Sequence, residues 1–80
     1  MSSSITDCNK KFGLFLKEGR LRKDMSQTEV VERAGIGQSY YSYIEAGRRN
    51  IDLSLALNLC DILGLDINDF VKAQSNSTRK

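Results

Sequence analysis

Residues 26–47, SQTEVVERAGIGQSYYSYIEAG, hold the clearest alternation of apolar and polar positions in the chain. Val30, Val31 and Ala34, followed by Ile36, recur at helical spacing and predict an amphipathic helix over 27–34. Ser26 with Glu29 three positions on is a capping-box pattern: each side chain can satisfy a free backbone N–H of the first turn. Gly35 stands where such a helix stops. After Gly37 the chain restarts as a second short helix over 38–46, closed by Gly47. That segment reads as too short and polar to serve a core, yet it is crowded with hydrogen-bonding side chains. Tyr41 is the exception, read as a core residue rather than a ligand contact.

The same spacing extends to both sides. A first helix is predicted over about 9–23, with Phe12, Leu16, Leu21 and Phe15 turned inward. Asp52 can cap a fourth helix carrying Leu53, Ala56, Leu57, Leu59, Cys60 and Leu63, which Gly64 terminates. Asp66 can cap a short fifth over 67–72, where Asp69 favours the first turn through the helix dipole. No strand-like alternation, internal repeat or proline interrupts this order, so the predicted class is an all-α bundle with short connections. Residues 1–8 and 74–80 are polar and read as mobile ends around one domain at 9–73.

Composition narrows the chemistry. The net charge is only +2, but residues 1–49 hold nine basic against six acidic side chains, whereas residues 50–80 hold three against four. The basic excess thus accompanies the helix pair at 27–46, although Lys10, Lys11, Lys17, Arg22, Lys23 and Arg33 are individually ordinary solubilising charge. Without histidine there is no Ser–His or Cys–His nucleophile pair, and Asp66 and Asp69 are accounted for by capping, so the reading is not an enzyme. Cys8 and Cys60 match no metal-module spacing; neither metal nor cofactor is expected, and the pair suggests a reducing compartment. No run approaches the roughly 18 apolar residues of a membrane span, and the start lacks an apolar signal core, which points to the cytoplasm.

A helix, a tight turn and a short polar helix suit insertion into the major groove of DNA. From Gly19 to Val71, about two-thirds of the chain, the sequence resembles the lambda-repressor-like (Cro/cI, or xenobiotic-response-element) helix-turn-helix family. The resemblance rests on an ordered set: Arg20, Ser26-Gln27, Ala34-Gly35, Ser42, Ile44-Glu45, Gly47, then Leu63-Gly64-Leu65-Asp66-Ile67 and Phe70. It implies a compact five-helix domain with the helix-turn-helix at helices 2 and 3. It further implies that Gln38, Ser39 and Tyr43 read base edges, with Tyr40 near the backbone or a neighbouring base. Gln27 would meet a phosphate, and Arg48, Arg49 and Asn50 would clamp the backbone. Arg20 and Glu45 would form a structural ion pair. Leu65, Ile67, Phe70 and Val71 would divide between core and a homodimer interface.

The residues themselves agree best at Gln38, whose amide can pair bidentately with adenine. Tyr40 and Tyr43 could instead form an aromatic patch for a protein. The chain departs from the family at Gly37, which replaces a serine or threonine cap, and at Asp24, Ile51 and Tyr41. The expected activity is a sequence-specific regulator, a repressor, binding a pseudo-palindromic operator on double-stranded DNA as a homodimer. The alternatives are an antitoxin-type interaction module on the same fold, or a controller that activates through RNA polymerase. A toxin, an antirepressor or RNA polymerase are the further partners left open.

Overall fold

In the computed structural model, which describes residues 5–78 and the side chains of 7–73, five helices follow one another. They are α1 (Ile5–Arg22), α2 (Gln27–Ala34), α3 (Gln38–Glu45), α4 (Leu53–Leu63) and α5 (Ile67–Thr78), with no strand among the described residues. Local chemistry sets the ends of α2 and α4. The Glu29 N–H donates to Ser26 Oγ at 3.1 Å while the Ser26 N–H donates to Glu29 Oε1 at 2.9 Å, completing the capping box. Asp52 accepts from the Leu55 N–H at 2.8 Å and opens α4. Asp66 accepts from the Asn68 N–H at 2.9 Å at the head of α5. Asp24, between α1 and α2, takes φ of 57°, a left-handed geometry that aspartate tolerates better than most residues.

The core lies where α1 and α2 pack against α3 and α4. Leu16, Val30, Tyr41 and Leu59 are fully buried, joined by Ile44 and Leu63. α3 is therefore not a purely superficial element, contrary to the reading of its polar composition: Tyr41 and Ile44 nail it to the interior. α5 is attached by an aromatic cluster, with the Phe70 ring 5.0 Å from Phe12 and 5.5 Å from Phe15 between centroids. Cys60 is buried, and burial together with the Asp66 charge pushes its thiol up; Cys8 is exposed.

Several boundaries and faces differ from the sequence expectation. α1 begins at Ile5, within the stretch expected to be a leader, and Asp7 favours its first turn. α5 continues to Thr78, past the expected end at 72, because no glycine or proline intervenes to stop it. Residues 1–4 and 79–80 of the expected mobile ends lie outside the described residues. Leu21 is 57% exposed, because nine positions after Phe12 it falls on the opposite side of the helix, roughly 180° away. Leu53 and Leu57 are also exposed: the buried face of α4 is Ala56, Leu59, Cys60 and Leu63, and the apolar set is wider than that face.

α1 and α3 meet unusually closely. A Cβ on Gly13 would stand 2.5 Å from the Glu45 carbonyl oxygen and still nearer that of Ile44. Just beyond α3, Gly47 at φ 76° lies over α1, where a Cβ would come within 2.6 Å of the Lys10 Cα. These two contacts fix the end of α3 and the loop that follows it.

Candidate nucleic-acid interface

α3 starts at Gly37 without a side-chain cap and is only eight residues long, so its position depends on what holds it. With Tyr41 and Ile44 turned into the core, Gln38, Ser39 and Tyr43 emerge on the exposed side. Tyr40 is half-buried and packs against the core.

A chain of hydrogen bonds anchors this face. Arg20, 9% exposed, donates from Nε to Glu45 Oε2 at 2.7 Å, from Nη2 to Oε1 at 3.2 Å, and from Nη1 to the Met25 carbonyl at 2.9 Å. Glu45 Oε1 also accepts from Gln27 Nε2 at 2.9 Å. Gln27 Oε1 in turn accepts from Gln38 Nε2 at 2.8 Å and from Ser42 Oγ at 2.7 Å. Thr28 Oγ1 closes the series by donating to Gln38 Oε1 at 3.3 Å. Gln38 is thus held by both ends of its amide, yet one N–H and one acceptor position remain, the complement that a bidentate adenine contact requires. Gln27 occupies the hub, and the structure gives it a positioning task alongside the phosphate contact that the resemblance implies.

Burial alone would raise the Glu45 carboxyl, but its interactions with Arg20, Tyr41 and Gln27 outweigh burial and hold it below the usual carboxylate range. The hydrogen bond to Glu45 likewise raises Arg20. The Tyr41 hydroxyl is buried beside this pair; burial first, then its close approach to the Glu45 carboxylate, push the phenol well above its usual range, although no group among the described residues meets hydrogen-bond geometry with it. A carboxyl depressed in the folded state contributes stability that is present above its unfolded value, about 4.3, and lost as pH falls through the folded one. Urea midpoints should therefore fall more steeply with pH below about 4.5 for the parent than for Glu45→Gln. Parallel profiles would place the acid sensitivity on another group.

The loop after α3 is tied down as well. The Arg48 N–H donates to the Tyr43 carbonyl at 2.8 Å, and Asn9 Nδ2 donates to Asn50 Oδ1 at 2.7 Å. Arg48 Cζ lies 5.7 Å from the Tyr43 ring centroid and Arg49 Cζ lies 5.1 Å from that of Tyr40. Arg48, Arg49, Gln38, Ser39 and Tyr43 are thereby assembled at and beside the exposed side of α3, with Asn50 at the loop's far end. The residues that the resemblance implies for core and dimer interface sit elsewhere: Leu65, Ile67 and Phe70 are half-buried against the core, while Val71 is 52% exposed. Ile67, Phe70 and Val71 border an apolar groove of about 310 Å³ shared with Phe12, Ile51 and Leu53.

Ser42 and Thr28 join this network without being expected from sequence as site residues. Gln38 and Ser42 lie one helical turn apart, a spacing that marks Ser42 as a neighbour of the reading face, whereas Thr28 has no such mark.

Residues 16–70 match the family described as helix-turn-helix. The chain belongs to the Cro/cI-like helix-turn-helix family. Among curated relatives of this helix-turn-helix protein, it is 35% identical over 65 residues to an uncharacterised HTH-type transcriptional regulator, YqaF, of Bacillus subtilis, covering 81% of this chain and 86% of that one. It is 32% identical over 59 residues to the ImmF control region 10 kDa protein of Bacillus phage phi105, covering 74% of this chain and 66% of that one. Among solved structures it resembles the restriction-modification controller protein C.AhdI from Aeromonas hydrophila, with a TM-score of 0.67 at 35% identity, covering 71% of this chain and 86% of the other.

Proposed function

We propose that this protein is a DNA-binding transcriptional regulator that reads a pseudo-palindromic operator as a homodimer through α3. The observation that carries this reading is the exposed edge at Gln38 and Ser39, where Gln38 is pre-positioned by the network through Gln27 to the Arg20–Glu45 pair. Gln38 offers a fixed amide, Ser39 a short donor and acceptor, and Gln27, Arg48 and Arg49 supply contacts that position the helix without reading sequence. Family membership supports the same activity. Repression by occupancy needs nothing beyond this surface, whereas activation needs a further contact, so repression is the simpler sign.

A homodimer would place two α3 helices in successive major grooves, about 34–36 Å apart. The groove bordered by Ile67, Phe70 and Val71, with exposed Leu53 beside it, supports a self-association surface of which Val71 and Leu53 are the outward part. Selection of bound duplexes from a random pool tests the whole reading at once. It should return two inverted half-sites, and Gln38→Ala should weaken binding by about 1–3 kcal/mol while relaxing preference at one position of each half-site. Sedimentation should find a dimer on the selected duplex. An unpatterned pool, or a monomer at every concentration with and without DNA, would overturn the operator and dimer claims respectively.

A further inference from the structure

We infer that Tyr43 and Tyr40 act as aromatic platforms that hold the Arg48 and Arg49 guanidinium groups in place to grip DNA phosphates, and do not themselves read bases. This rests on the DNA-binding reading above. Both guanidinium groups lie within the roughly 6 Å over which a cation is attracted to a ring face. The backbone beneath them is already fixed by the Arg48–Tyr43 hydrogen bond, by the Asn9–Asn50 bond and by Gly47 against Lys10. Only the long side chains still have freedom to lose, and the rings limit it.

A cation–ring contact suits this task better than an ion pair. A guanidinium held over a ring is not committed to a carboxylate acceptor, so N–H groups remain to fork onto a phosphate. A carboxylate would occupy the same donors and cancel the charge. Among the described residues neither Arg48 nor Arg49 has an acidic partner, whereas Arg20, whose task is structural, has one. Tyr40 packs against the core and carries Arg49, so its ring is occupied before DNA arrives. Tyr43 is 45% exposed, which makes it the cleaner probe because its loss leaves the core intact.

A double-mutant cycle on the duplex recovered by selection tests the inference. Tyr43→Leu should weaken binding about three- to fivefold, the value of an exposed cation–aromatic contact, with the selected base preference and the salt slope unchanged. In an Arg48→Ala background the same substitution should add nothing, and Tyr43→Phe should bind as the parent does. Arg48→Ala alone should reduce the slope of log K against log salt by about one. Tyr40→Phe should likewise be silent. Without DNA, the Arg48 side-chain protons should show an upfield ring-current shift in NMR spectra that Tyr43→Leu abolishes. A changed base preference in Tyr43→Leu, additive losses in the cycle, or no ring-current shift would overturn the platform role while leaving the DNA reading intact. An unaltered salt slope in Arg48→Ala would overturn it through the phosphate contact. A parent that retains no duplex would remove the DNA reading and this inference with it.

Discussion

Arg20→Ala should lose about 3–5 kcal/mol of stability, the usual cost of breaking a buried ion pair from one side. The guanidinium makes three hydrogen bonds, two to Glu45 and one to the Met25 carbonyl, and its side chain is 11% exposed against 5% for that of Glu45. Alanine would strand a buried carboxylate with Gln27 as its remaining hydrogen-bond donor, and would orphan the Met25 carbonyl as well. Urea denaturation should show a lower midpoint at an unchanged m-value. Replacing both partners separates the two tasks of the pair. Arg20→Met combined with Glu45→Met should recover much of the lost stability, since apolar replacements of buried ion pairs are often neutral. DNA affinity should stay reduced in the double variant, because Gln27 would lose the acceptor that orients it toward Gln38. Parent-like stability in Arg20→Ala would show that the pair contributes nothing to the fold.

Gly13→Ala should destabilise the domain by about 2 kcal/mol or more, against the direction of helix propensity. Within an exposed helix the same change would stabilise by roughly 0.5–1 kcal/mol. Here the new methyl would press on the Ile44 and Glu45 carbonyls, which belong to the backbone of α3 and cannot rotate away. Overpacking of this kind typically costs about 1–3 kcal/mol and is relieved by a backbone shift. The element that would have to shift is the end of α3, so binding to the selected duplex should weaken in the fraction that remains folded. A variant more stable than the parent would show that α1 and α3 can separate freely at this point.

The elements with chemical punctuation were legible from residues alone. Ser26, Glu29, Gly35, Asp52 and Gly64 delimit α2 and α4 because caps act within a few positions of themselves. Tyr41 is assigned to the core through the resemblance, whose matching position holds a core residue. Leu21, Leu53 and Leu57 could not be placed, since an apolar residue on a short helix satisfies the spacing whether or not a neighbouring element covers it. The hydrogen bonds joining Gln27 to Gln38, Ser42 and Glu45 span 11, 15 and 18 positions, and the Arg–Tyr contacts bridge a helix and a loop. Neither leaves a local pattern. Gly13 gave no sign of its close contact, because the atoms it admits lie more than thirty positions away.

α3 owes its shape to its surroundings. An eight-residue helix without a capping side chain falls well short of the ~12–15 residues at which isolated helices become even marginal in water. Excised as a peptide, it would be a coil and would carry no reading surface with it. Retargeting must therefore exchange individual outward side chains on the intact scaffold. A recipient protein given the whole segment would also have to make room for a buried tyrosine.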